Sequence, residues 1–138
     1  PLLFDIQYRV LYSMRMDDDS RKFQRDLNAG LVSLVLLGVL AATDEDLYGY
    51  DIAKRLQRAH QGEPIFKEGT LYPVLRSLAA SGWLSSRIVP SYAGPPRRYY
   101  RITDEGRAVL AQRRAVWRDT RDFVDQFTGP SSPTDPTP

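Results

Sequence analysis

Apolar residues recur along this chain at two periods, about 3.6 and 2 residues, and the changes between them divide it into elements. Phe23, Leu27, Leu31, Leu34 and Leu37 or Gly38 mark one face of a helix that runs to about Ala42. Asp17-Asp18-Asp19-Ser20 opens it, with acids placed to complement the helix dipole. Its second half, from Leu31 to Ala42, is apolar nearly all round apart from Ser33 and Gly38. Such a helix belongs in the middle of a domain or at a subunit interface. After the polar break Thr43-Asp44-Glu45-Asp46, a second helix starts at Leu47-Tyr48-Gly49-Tyr50-Asp51 and runs to about His60. Tyr50, Ile52, Ala53 and Leu56 are its expected inward side, and Gln61-Gly62-Glu63-Pro64 ends it. A third helix carries Leu71, Val74, Leu75 and Leu78 on its apolar face. Proline is tolerated in the first helical turn, so Pro73 predicts a start near Thr70, which would serve as N-cap, with Gly82 closing the end.

The period then shortens. Trp83 to Val89 and Arg97 to Ile102 read as strands joined by the loop Pro90-Ser91-Tyr92-Ala93-Gly94-Pro95-Pro96. Thr103 caps a last helix whose Val109, Val116, Thr120, Phe123 and Phe127 lie near heptad spacing, flanked by Leu110, Trp117 and Val124. At ~1.5 Å per residue that helix spans roughly 35 Å, more than a small domain covers alone. Its stripe is therefore expected to dimerise against the first helix of a partner copy, through Leu27, Leu31 and Leu34. Residues 1–16 alternate Phe4, Ile6, Tyr8, Val10 and Tyr12 with more polar positions; strand, disordered tail and partner-docking arm all remain open, and Met14 or Met16 would also serve as a start. The Pro- and Ser-rich residues 129–138 read as a disordered tail. The expected division is an extension (1–16), a unit of three helices and a hairpin (17–103), a dimerisation helix (104–128) and the tail.

Composition narrows the chemistry. With no cysteine and a single histidine, His60, thiolate metal sites, disulfides and a histidine-based triad have no material. No glycine-rich phosphate loop or nucleophile elbow is present, so an enzyme is not expected, nor a metal or other cofactor. No apolar run reaches the length of a membrane span and no signal-peptide pattern is seen, which predicts a cytoplasmic setting. The net charge is only +2, but residues 85–103 hold four arginines, Arg87, Arg97, Arg98 and Arg101, and no acid, while acids gather at residues 17–19 and 44–46. Segregation of that kind suits a polyanion.

Two short helices followed by a β-hairpin make a winged helix-turn-helix, so the fold class expected is mainly α with a small β-hairpin plus a dimerisation helix. The third helix, basic just ahead of its start, suits a major groove, and the arginines of the hairpin suit phosphates or a minor groove. A second reading keeps the fold but makes it a protein-interaction module with the N-terminal extension as docking arm. Deleting residues 1–16 separates the two.

The words Leu47-Tyr48-Gly49-Tyr50, Gly69-Thr70-Leu71-Tyr72-Pro73, Leu75 with Leu78 and Gly82, and Arg97-Arg98-Tyr99-Tyr100-Arg101-Ile102-Thr103 followed by Gly106 occur in this order. On them the chain resembles PadR-family transcriptional regulators, over about residues 27 to 127. Gly94-Pro95-Pro96 departs from the glycine-arginine-proline more usual in that loop. A single terminal helix resembles the short subfamily. The resemblance implies a homodimeric repressor on a pseudo-palindromic operator in double-stranded DNA. Tyr72 would meet base edges or a thymine methyl; Thr70, Tyr48 and Lys67 would hold phosphates; Arg97 and Arg98 would anchor the wing. Gly69, Pro73, Arg76 and Tyr99 complete the expected DNA-facing set. It also implies that Trp117 could line a pore between subunits where a small aromatic effector stacks, plain interface packing being the other reading, with Arg113, Arg114 and Arg118 making such a pore more polar.

Overall fold

The computed structural model describes residues 18–62 and 65–129. The elements in chain order are α1 (Asp18–Ala41), β1 (Leu47–Tyr48), α2 (Gly49–Ala59), α3 (Glu68–Ala80), β2 (Leu84–Val89), β3 (Arg97–Ile102) and α4 (Asp104–Thr128). The sheet is antiparallel with β3 in the centre, in the order β1-β3-β2. Register runs from Leu84 opposite Ile102 to Val89 opposite Arg97 on one side of β3, and Leu47 opposite Tyr100 on the other. The mainly helical winged helix expected from periodicity is what forms. The docking-arm and tail expectations for residues 1–16 and 129–138 fall almost wholly outside the described residues.

One core unites these elements. Val32, Leu36, Leu37 and Leu40 of α1 meet Ile52 of α2, Leu71, Leu75 and Leu78 of α3, and Leu47, Leu84, Tyr100 and Ile102 of the sheet. The buried face of α1 shares only Leu37 with the line read from sequence: Phe23 and Leu27 are exposed, and Leu31 and Leu34 half-buried. An all-round apolar helix carries two candidate faces, and the domain takes the one nearest α3. Contrary to expectation, α1 is long and apolar enough to cross a membrane by length and composition alone. Four of its leucines and valines instead belong to the core named above.

Three local expectations are corrected. Residues 47 and 48 form a strand edge on Tyr100 and Tyr99 rather than a helical turn, and α2 begins at Gly49. Tyr50, expected inside, is 47% exposed, because a start at Gly49 turns Ile52 inward and leaves Tyr50 beside Lys54, whose Nζ sits 5.3 Å from its ring centre. Finally, α3 starts at Glu68 with Lys67 as N-cap, not at Thr70. The Lys67 carbonyl accepts from both Thr70 and Leu71, at 2.9 and 3.1 Å, closing a turn before Pro73 is reached. Pro73 thus withdraws the donor that would have bonded the Gly69 carbonyl, on a face turned to solvent where the loss is tolerated.

The two ends of the α3–wing unit are firmly capped. Gly82, at φ +81°, follows the C-cap Ser81, and its N–H donates to Ala79 while that of Trp83 donates to Leu78. That pair is a Schellman closure, available because glycine adopts the left-handed conformation freely. As expected, Thr103 caps α4: its hydroxyl oxygen accepts from Gly106 N–H at 3.0 Å. The hydroxyl proton lies within reach of the Gly82 carbonyl at 2.8 Å, joining the end of α3 to the start of α4.

Candidate nucleic-acid interface

The ten residues singled out for DNA contact fall into three groups. The first is built on the outer face of the sheet. Alternation along β3 puts Arg97, Tyr99 and Arg101 on one side and Arg98, Tyr100 and Ile102 on the other. Pairing of β1 with β3 then sets the Tyr48 ring 5.6 Å from that of Tyr99. The Arg97 guanidinium lies 4.8 Å from the Tyr48 ring centre, and Arg87 lies 5.4 Å from that of Tyr99. The stack on Tyr48 positions Arg97, which stays exposed.

The second group lies between α3 and the wing. Tyr72 is half-buried, its ring seated on Gly49: a Cβ added at Gly49 would collide with Tyr72 Cε1. Its phenol is held above the usual range by burial first, then by the Glu68 carboxylate and by Tyr48 and Tyr100. Tyr100, fully buried, is likewise pushed up by burial, opposed by the charges of Arg98 and Arg76. Arg98 Nη1 also donates to Ser86 Oγ at 3.1 Å. Arg76 and Pro73 are exposed beside them.

The third group, Lys67, Gly69 and Thr70, occupies the first turn of α3 and its approach; all three are exposed. A Cβ at Gly69 would meet nothing within 4 Å, so no packing among the described residues requires glycine there.

Charge along the wing is less segregated than its sequence suggests. Asp46, in the acidic break before β1, accepts from Arg87 Nε at 2.6 Å and Arg101 Nε at 2.5 Å. The bond from Arg101 first, then that from Arg87, holds the Asp46 carboxyl below the usual carboxylate range. One carboxylate thus offsets one of the two charges on Arg87 and Arg101 and holds both side chains, while Arg97 and Arg98 make no ion pair among the described residues. The Arg97-Arg98 pair on the return strand was readable in sequence; the Asp46 clamp was not, since its partners lie 41 and 55 positions away.

Six of the ten residues expected at a dimer interface line one groove between α1 and α4. This groove of about 610 Å³ is bounded by Leu27, Leu31 and Leu34 of α1 and Val116, Trp117 and Thr120 of α4, with Asp26 and Arg113 as its charged members. Arg113 is anchored there: Nη1 donates to Ser33 Oγ at 2.7 Å and the guanidinium lies 4.6 Å from the Trp83 ring. Val109 is half-buried against the core, whereas Val124 is exposed and Phe123 and Phe127 are 62% and 71% exposed, their rings 5.1 Å apart. Trp117 lines this groove and a second one on the other side of α4 with Arg114, Arg118 and Arg121.

Comparison with known proteins agrees with this geometry. The model of the transcriptional regulator PadR-like family matches residues 36–112. The transcriptional regulator Rv3488 of Mycobacterium tuberculosis (strain ATCC 25618 / H37Rv) is 38% identical over 109 residues, covering 75% of this chain and 89% of that protein. Among solved structures, a PadR family transcriptional regulator from Eggerthella lenta DSM 2243 superposes with a TM-score of 0.67 at 35% identity, over 82% of this chain and 95% of its own. A transcriptional regulator from Clostridium thermocellum gives 0.66 at 30% identity, over 75% and 95%.

Proposed function

The chain belongs to the PadR-like family of transcriptional regulators, and from that membership we propose that it is a homodimeric repressor that binds a pseudo-palindromic operator in duplex DNA. The observation that carries this reading is the pairing of α3 with the wing. Tyr72 and Arg76 on α3, and Arg97 and Arg98 on β3, offer base-reading and phosphate-binding groups on elements held by one core. In this reading α3 enters the major groove and Tyr72 presents its outer edge to the bases, while Tyr48, Lys67 and Thr70 hold phosphates.

Two copies would join through α4 of one and α1 of the other. An exposed apolar stripe of this length on a charged helix supports that pairing, because such patches on single chains mark contact surfaces. A planar aromatic effector stacking on Trp117 in the α1–α4 groove, and loosening the grip on DNA, is the regulatory part of the proposal.

The test is a gel shift with DNA from upstream of the gene. Tyr72→Ala and Arg97→Ala should each weaken binding about 10-fold or more, as expected for ~1–3 kcal/mol per specific contact, with the oligomeric state unchanged. Absence of a shift by the wild-type protein at low salt would overturn the DNA-binding reading.

A further inference from the structure

On the side of α3 away from the wing, a groove of about 370 Å³ separates the first half of α1 from the connection that leads into α3. Arg21 and Arg25, one turn apart on α1, form one wall; Lys67 and Thr70 form the other. Among the described residues, none that lines it is acidic. Arg25 and Lys67 make no ion pair among the described residues, and Arg21 reaches only the exposed Asp18, at 4.0 Å. Among the described residues, Asp26 lines the α1–α4 groove and Glu68 a separate pocket against α2.

The walls are also held at a fixed spacing. Asn28 Nδ2 donates to the Ile65 carbonyl at 3.2 Å, and Gln24 Nε2 donates to Asn28 Oδ1 at 2.9 Å. Next to that bond, Phe66 is buried in the core. Three exposed cations thus border an open groove that continues from the leading end of α3.

We infer that this groove binds the DNA backbone: Arg21 and Arg25 of α1, with Lys67, take a phosphate flanking the stretch that α3 reads. The inference rests on the DNA-binding reading and extends its footprint to α1. Charge complementarity and continuity with α3 identify the occupant, since the strand bordering a groove-bound helix passes its N-terminal turn. Phosphate contacts are independent of sequence and are counted by the salt dependence of binding.

The experiment measures binding to a mixed-sequence 30-bp duplex by fluorescence anisotropy across a salt series, for wild type, Arg21→Ala/Arg25→Ala and Lys22→Ala. Lys22 sits on the same turn of α1, does not line the groove, and controls for loss of charge alone. All three positions are exposed, and circular dichroism checks that the fold is kept. The double variant should bind more weakly, with a log–log salt slope shallower by about 0.9 for each phosphate it no longer neutralises, while Lys22→Ala keeps the wild-type slope. A double variant with the slope of wild type, or a Lys22→Ala loss as large as its own, would overturn the inference while leaving the DNA-binding reading standing. Failure of the wild-type protein itself to bind the duplex would remove both.

Discussion

Gly49 and Tyr72 pack at a separation that leaves no room for a Cβ at position 49. The tyrosine ring lies where any side chain at position 49 would begin. Because the obstacle is a side chain, the clash has a specific remedy. Gly49→Ala should destabilise the fold by roughly 1–3 kcal/mol, the usual range for overpacking, and weaken DNA binding by displacing Tyr72. Combining it with Tyr72→Ala should return most of the stability but not the binding, as read from urea unfolding and gel shifts. Equal loss in the single and double variants would show that the ring is not the obstacle. Gly106 provides the contrast. A Cβ there would run into the Trp83 carbonyl oxygen, which is backbone and cannot swing aside. Both glycines stood in the sequence as parts of recurring words, but what each one touches lies in another element and leaves no local trace.

At the scale of elements, the wing is braced by a carboxylate that does not belong to it. Asp46 ties Arg87 on β2 and Arg101 on β3 to the break before β1. Its folded-state pKa is lowered from the ordinary 3.8. A depressed carboxylate contributes stability that is present above its unfolded value and lost as the pH falls through the folded one. Wild-type protein should therefore lose wing stability below about pH 4, the ordinary carboxylate range, whereas Asp46→Asn should lack that component of the acid dependence and exchange its β2–β3 amides faster at neutral pH. Hydrogen exchange across pH 3–7 reads both effects; an unchanged wing in Asp46→Asn would mean that the clamp adds nothing. The helices and hairpin were visible in the sequence because each runs long enough to show its period. β1 was not, since two residues carry no period and its partner lies some fifty positions on. The start of α3 was misplaced because a first-turn proline is a preference, which the turn closed on the Lys67 carbonyl overrides.

At the scale of the molecule, the chain is a compact head with a long arm. The head buries its apolar residues in one core, while α4 beyond Leu110 leaves most of its side chains open to solvent. Heptad spacing announced that arm, and the all-round apolar character of α1 announced a second face, but a single chain could not say which face the core would take. The core takes Val32, Leu36, Leu37 and Leu40, so Leu27, Leu31 and Leu34 remain beside Val116 and Trp117. In the proposed dimer those surfaces carry the association, and the spacing of the two α3 helices follows from how the arms cross.

Sedimentation velocity on the protein alone, and then with a duplex from upstream of its gene, tests the central claim most directly. The proposed assembly requires a dimer that binds as two chains per duplex at low salt, and a Phe123→Asp variant that sediments as a folded monomer and binds far more weakly. A wild-type protein that stays monomeric at micromolar concentration, or a dimer that leaves the duplex free, would contradict it.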